Sequence, residues 1–208
     1  DGSKSMVRTR AAIGERGVVV LGEDRALLLD GLLGPEVAMA VREEALAALA
    51  AGDLRPAGIG REAARVEAIR GDFITWLDPS ALVDHPALGS VAQLFASVME
   101  TLAELAWLGA RELEMQLAVY PAGGGYQRHR DNPHGRSRRR MTVIYYANDW
   151  QPGDGGELEI WEPDGARLIE PVADRLVLFR PHLEHAVRPV LAGPRVAISG
   201  WLAAPEPC

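Results

Sequence analysis

Residues 156–190, GELEIWEPDGARLIEPVADRLVLFRPHLEHAVRPV, break into short strand-like runs set apart by turn signals. "GELEIWEP", "RLIEPV", "RLVLFRP" and "HAVRPV" follow one another with "PDG" between the first two, and no interval is long enough for a crossover helix. The same grammar extends outward, back through "MTVIYYAND" to "ELEMQLAVY" from Glu112 and forward to "RVAISGWLA", with "PAGGG", "QPGDGG" and "AGP" as punctuation. About seven strands at this spacing predict a sandwich, jelly roll or small barrel rather than a parallel sheet.

The first half of the chain differs. Pro35 opens an Ala-, Leu- and Glu-rich helix to Ala51, with Gly52 behind it. Asp84 and Pro86 introduce a longer helix in which Leu88, Val91, Phe95, Val98, Leu102 and Leu105 recur at helical spacing. That stripe needs a partner, and the two helices are expected to buttress one face of the β core. "GVVVL" and "RALLLDGLLG" precede them as short apolar pieces. Between the helices, "DFITWL" reads as a strand, whereas Pro56 to Glu67 has two glycines, alternating charge and no period, and reads as a mobile loop. Trp76 in that strand is ordinarily core, although a tryptophan after such a loop can also wall a cleft.

The chain has 208 residues, 48% hydrophobic and 25% charged, which suits one globular domain. Residues 1–5, ahead of Met6, read as a cloning remnant, leaving 6–208 as a single domain with helical support mainly over 35–108 and the β core mainly over 112–203. No apolar run approaches the roughly 20 residues of a membrane span, and no leader-like segment opens the chain, so a cytoplasmic location with no membrane contact is expected. The net charge of −7 disfavours a broad grip on nucleic acid, despite the local basic run Arg136, Arg138, Arg139, Arg140. Lys4 is the only lysine, an arginine bias of the kind a GC-rich bacterial genome produces. The one cysteine, Cys208, excludes a disulfide frame or thiolate cage, so any metal site must use His and carboxylate.

"YPAGGGYQRHRDNPHGRSRRR", residues 120–140, contains the candidate. In a strand, residues two apart share a side, so His129 and Asp131 can converge on one ion while Arg130 points away. The spacing alone is common by chance, and a third ligand from a later strand is needed. His134 sits in the adjoining turn and His182 in a loop; His185 leads directly into "HAVRPV" and is better placed. Two histidines and a carboxylate on one face of an octahedral ion make the facial triad of non-haem Fe(II) oxygenases. A 2-oxo acid can supply the electrons if a cation holds its far carboxylate. Arg195 starts the last strand and shares a face with Ser199 and Trp201, so a clamp and a surface arginine are equally open. Tyr146, on a face with Thr142 and Ile144, is either a further donor to that carboxylate or a half-buried strand tyrosine.

In this order, "IRGDFITWLD", "YPAGGGYQRHRDNPHG", "TVIYYAND", "GGELEIW", "DRLVLF", "HAVRPV" and "RVAISGWL" resemble the Fe(II)- and 2-oxoglutarate-dependent prolyl 4-hydroxylases. The branch is that of the hypoxia-inducible-factor prolyl hydroxylases and their bacterial relatives. The resemblance implies an α+β fold with a double-stranded β-helix, a jelly-roll, cupin-like core, buttressed by N-terminal helices. It implies His129, Asp131 and His185 as iron ligands, Arg195 and Tyr146 on the C5 carboxylate of 2-oxoglutarate, and Tyr120, Ser199 and Leu158 around that cosubstrate. It further implies Trp76 and Trp201 beside the substrate proline, with Arg139 and Arg140 also assigned to substrate, and the 55–70 segment as a loop closing over it. Gln116 departs from the family, standing where an apolar residue is usual. Fe(2+), 2-oxoglutarate and O2, with L-ascorbate as reductant, are the implied cofactors, and oxygen sensing is a family role. The implied reaction is C4 hydroxylation of a prolyl residue in a protein, elongation factor Tu being a candidate in a bacterium, by a monomer. An oxidative nucleic-acid demethylase on the same iron site, a non-catalytic cupin-like sensor of metal and small acid, and a zinc hydrolase are the competing readings.

Overall fold

The computed structural model of the chain describes residues 2–58, 70–132, 135 and 137–207. Its centre is two antiparallel sheets that the chain visits alternately. β4 (Glu112–Tyr120), β6 (Arg139–Tyr146), β9 (Arg175–Phe179) and β11 (Arg195–Ala203) form the middle of one; β5 (Tyr126–His129), β7 (Leu158–Glu162), β8 (Gly165–Ile169) and β10 (His185–Val187) form the other. The larger sheet is completed at its edges by β1 (Leu27–Asp30), β2 (Arg55–Pro56) and β3 (Phe73–Leu77), giving the order β1-β9-β6-β11-β4-β3-β2. The smaller runs β5-β10-β7-β8. Crossing between sheets at nearly every turn makes this a double-stranded β-helix, and the seven strands expected from the sequence are all present within it.

Helices α2 (Pro35–Ala50) and α3 (Pro86–Ala106) lie where the sequence expects them. The α3 stripe is buried at Leu88, Val91, Phe95, Val98 and Leu102. It meets Met115, Leu117, Val143, Ile198 and Leu202 on the outer face of the large sheet in one apolar cluster. On β6, Met141, Val143 and Tyr145 face the helices, whereas Ile144 and Tyr146 join Leu158, Ile160 and Phe179 in a second cluster between the sheets. Because both faces of this sheet are buried, its strands read as nearly unbroken apolar runs. Gly200 permits the close approach of α3, since a Cβ there would lie 2.7 Å from the Phe95 ring.

Two features differ from the sequence reading. "GVVVL" belongs to a further helix, α1 (Gly2–Gly22), which is interrupted at Gly14 (φ 55°) and packs on α3, with Arg10 paired to Glu104. Residues 2–5 are part of that helix, and Ser5 Oγ lies 3.3 Å from Ser97 Oγ. Pro56, taken for the start of a loop, pairs with Phe73 in β2–β3, and Ala57 N–H donates to the Asp72 carbonyl; residues 59–69, the rest of that loop, lie outside the described residues. Among the described residues no helix is long and apolar enough to cross a membrane.

One buried carboxylate joins the helix layer to the sheet. Asp174 accepts from Leu33 N and Gly34 N just before α2, at 3.1 and 2.7 Å, and from the Tyr145 hydroxyl at 3.0 Å. Asp174→Ala orphans all three donors and should cost about 3 kcal/mol, against about 1 kcal/mol for Tyr145→Phe, which removes one bond. Chemical denaturation of both variants checks this; equal losses would mean that the two backbone donors do not need the carboxylate.

Candidate active site

The polar residues of interest meet in a cavity of about 210 Å³ between the sheets. Strand register puts them there. His185 on β10 is the direct cross-strand partner of His129 on β5, so the two imidazoles stand side by side, ring centroids 4.2 Å apart. His129 is the last residue of β5, and Asp131 lies beyond it in a bend. Asn132 anchors that bend, its N–H donating to the Pro181 carbonyl at 3.0 Å. The strand alternation invoked for His129 and Asp131 therefore stops short of Asp131. Arg130 is exposed and pairs with Glu184 at 3.2 Å, the carboxylate that Arg128 also engages on the side of β5 away from His129.

Each histidine offers its Nδ1 to a backbone carbonyl, His129 to Gln127 O at 2.8 Å and His185 to Leu183 O at 3.1 Å. A carbonyl can only accept, so Nδ1 carries a proton; Nε2 keeps its lone pair in the neutral ring and donates to Asp131 when the ring is protonated. Both Nε2 atoms face Asp131 Oδ1, at 3.6 and 3.4 Å. These three acceptors lie within 4.8 Å of one another. Neighbouring ligands on an ion with bonds of about 2.1 Å sit about 3 Å apart, so the donor set fits one divalent ion. Burial alone would raise the Asp131 pKa, but the charge of His185 and the hydrogen bonds of both imidazoles hold it well below the usual carboxylate range. Burial and the charge of His185 lower the pKa of His129 despite the opposing pull of Asp131. For His185, burial is outweighed by Asp131 and the pKa rises.

The opposite end of the cavity is cationic. Arg195 is only 5% exposed and, among the described residues, has no carboxylate partner. Its Nε donates to the Gly156 carbonyl at 2.6 Å and its Nη2 to the Tyr146 hydroxyl at 3.2 Å. The guanidinium lies between the rings of Tyr120 and Tyr146, 4.9 and 5.0 Å from their centroids. Burial raises the pKa of Tyr146 against the charge of Arg195, so its phenol stays protonated and, already accepting from Arg195, has that proton left to donate. Between the two ends, Ala118, Ala197 and Ser199 make a small-residue floor, and Leu158 and Ile144 supply apolar walls.

Trp76 and Trp201 stand at the cavity with centroids 5.7 Å apart. Trp76 is 56% exposed, a wall rather than core. Arg139 stacks on Trp201 at 4.0 Å and pairs with Glu114 at 3.0 Å. Arg140, expected to share the substrate role, does not line the cavity, because neighbouring strand residues face opposite sides; its guanidinium donates to the Ser137 and Arg139 carbonyls. His182 lies elsewhere, paired with Asp24 at 2.9 Å, and His134 lies outside the described residues.

Arg70, Asp72 and Tyr126 were given no role by the sequence reading. Arg70 forks onto the fully buried Asp72 at 2.7 and 3.1 Å, reaches Gln116 Oε1 at 3.2 Å and covers the Tyr126 ring at 4.6 Å. Tyr126 in turn lies against the His129 imidazole, 3.7 Å between centroids. The signal was the "RGD" inside "IRGDFITWLD" together with the polar residue at 116.

A model of the 2OG-Fe(II) oxygenase superfamily matches residues 115–203. Human prolyl hydroxylase EGLN3 is 33% identical over 184 residues, covering 83% of this chain and 76% of that protein. Human Egl nine homolog 1 is 32% identical over 187 residues, 84% of this chain. The chain spans between 42% and 54% of the length of the human, rat and mouse forms of that protein. Among solved structures, a Pseudomonas putida prolyl-4-hydroxylase superposes with a TM-score of 0.80 at 28% identity, over 95% of this chain and 100% of that one. A Trichoplax adhaerens prolyl hydroxylase, in complex with a hypoxia inducible factor oxygen degradation domain peptide fragment, superposes with a TM-score of 0.84 at 27% identity, over 97% and 91%. The chain belongs to the 2OG-Fe(II) oxygenase superfamily. That membership brings Fe(2+), 2-oxoglutarate and O2 as cofactors, which the two-ended cavity suits.

Gly156 sits at φ +74°, and a Cβ there would lie 2.9 Å from Arg195 Cδ. Gly156→Ala strains the backbone and displaces the guanidinium. Its affinity for 2-oxoglutarate, measured by titration without turnover, should fall about tenfold or more; unchanged affinity would remove Arg195 from the cosubstrate site.

Proposed function

We propose that this protein is a 2-oxoglutarate-dependent prolyl 4-hydroxylase acting on a proline within a protein substrate. One observation carries the reading: three converging acceptors and a buried guanidinium with no carboxylate partner among the described residues face each other across one cavity. The kinship with prolyl hydroxylases, one of them solved with a peptide, supports the choice of substrate class.

In this proposal His129, Asp131 and His185 hold iron, through Nε2, Oδ1 and Nε2. Bound there, Fe(II) supplies the redox chemistry by which O2 oxidises 2-oxoglutarate and a substrate C–H together, giving succinate, CO2 and an alcohol. Arg195 and Tyr146 bind the far carboxylate by charge and by the phenol proton, which orients the 2-oxo end toward the acceptors. Tyr120 backs the guanidinium, Ser199 lies on the floor, and Leu158 with Ile144 keeps water from the cosubstrate. The exposed Trp76 and the buried Trp201, their ring centroids 5.7 Å apart, form the aromatic wall that flanks the proline ring, with Arg139 over the second indole.

The acting unit in this reading is a monomer, the described residues of one chain bringing both ends of the cavity together. A cytoplasmic location goes with this reading, as does elongation factor Tu as the first protein to try if the host is bacterial. The nucleic-acid alternative is disfavoured by the ion pairs of Arg138 with Glu112 and Arg139 with Glu114, which occupy two of the arginines it would need.

Incubation of host proteins with enzyme, Fe(II), 2-oxoglutarate and L-ascorbate should add one oxygen to a single proline by mass spectrometry, with succinate release that requires both metal and cosubstrate. His129→Ala and Asp131→Ala should each cut turnover more than about 100-fold in a folded protein. Oxygen added to a nucleobase, or normal turnover in either variant, would refute the assignment.

A further inference from the structure

The Asp131 carboxylate is not symmetric in its surroundings. Oδ1 faces the two imidazoles, whereas Oδ2 accepts from Thr142 Oγ1 at 2.9 Å and from Trp201 Nε1 at 3.1 Å. The two donors come from adjacent strands and from directly paired residues, Trp201 on β11 opposite Thr142 on β6. Each is fixed independently of Asp131. Thr142 is fully buried, and the Trp201 indole is held by Arg139 on its face and lies beside Trp76.

We propose that Thr142 and Trp201 are positioning residues that hold Asp131 to a single coordinating oxygen, with Trp201 also joining the metal ligand to the wall on which substrate rests. The first consequence is arithmetic. Two imidazoles and one carboxylate oxygen leave three of six octahedral positions, enough for the two oxygens of a 2-oxo acid and one for O2. A carboxylate that swung to chelate through both oxygens would leave two, and the 2-oxo acid would fill them. Two donors on Oδ2 oppose that swing, because chelation would break both bonds and orphan two buried donors. The second consequence follows from the indole's double duty. A ring that packs on Trp201 presses on the donor to Asp131, so substrate binding and ligand geometry share one side chain.

This inference rests on the triad as a metal site, but not on the identity of the substrate, and its test needs no turnover. Co(II) is titrated without oxygen into the parent protein and into Thr142→Val, Trp201→Phe and Thr142→Ser, followed by visible absorption. 2-Oxoglutarate is then titrated into each Co(II)-loaded protein. Thr142→Val keeps the shape and loses the donor; Trp201→Phe keeps an aromatic wall and loses the N–H. Each should weaken Co(II) binding about tenfold or more, and weaken 2-oxoglutarate binding to the loaded protein as well. Thr142→Ser, which retains a hydroxyl, should stay within about twofold of the parent. Parental affinities in both Thr142→Val and Trp201→Phe overturn the inference, as does a loss in Thr142→Ser equal to that in Thr142→Val, which would reduce Thr142 to packing. Should Trp201→Phe fail to fold, the two Thr142 variants decide alone. A parent that binds no Co(II) would overturn the triad as a metal site and this inference with it, whereas parental binding with unaffected variants overturns this inference only.

Discussion

β11 runs through the middle of the large sheet, hydrogen-bonded to β4 on one side and β6 on the other, and both of its faces are buried. Val196, Ile198 and Leu202 face the helices; Arg195, Ala197, Ser199 and Trp201 face the cavity. A slip of one residue would exchange the two sets. The guanidinium would enter the apolar layer under α3, at a desolvation cost on the order of several kcal/mol, and three aliphatic side chains, each contributing about 1.5–3 kcal/mol on burial, would line the site. The helix layer therefore does more than cover the sheet. By filling the far face it excludes the register in which the cavity could not exist, and Gly200 beneath Phe95 marks where that fit is tightest.

The small sheet adds what the large one cannot supply, a cluster of acceptors held against their mutual repulsion. Cross-strand pairing fixes His129 beside His185, and two backbone carbonyls fix which nitrogen each presents. The large sheet contributes the opposite charge at Arg195, so the cavity has an acceptor end and a cationic end, with a floor of small residues between. A ligand that matches it must be anionic at its far end and able to share a cation with the near end. A short 2-oxo dicarboxylate satisfies both demands.

The β core was legible because turn signals and strand lengths are local properties. So were α2 and α3, whose proline starts and apolar spacing are also local. The triad was legible only as a set: His129 and Asp131 were ambiguous until His185 and Arg195 appeared on later strands. What escaped was non-local or irregular. α1 carries arginines and glutamate around a glycine break and gains its stability from packing on α3, so "GVVVL" alone looked like an isolated apolar piece. Asp131 lies past the end of β5, in a bend, so the strand alternation used to pair it with His129 does not extend to it. Arg70 and Asp72 stand at the start of the strand "DFITWL", and only the fold shows Arg70, forked onto Asp72, lying over the Tyr126 ring behind a candidate ligand.

The arginine run that follows the first two ligands takes on a different character once its described members are followed to their partners. Arg138 reaches Glu112 at 2.6 Å, Glu206 at 3.5 Å and the Ala204 carbonyl at 2.9 Å; Arg139 reaches Glu114. Glu112 and Glu114 sit at the start of β4 and Glu206 beyond β11, so the run stitches the ends of β4, β6 and β11 together. Exposed pairs of this kind contribute about 0–1 kcal/mol each, too little to count as a stabilising device. Their effect is one of placement and neutralisation. Arg139 lies flat on Trp201 because Glu114 holds it there, and that indole in turn donates to Asp131. With Arg138 and Arg139 paired in this way, two of the charges a polyanion would need are already neutralised, and the proposed role in partner recognition is left to Trp76 and Trp201, which stand together at the cavity.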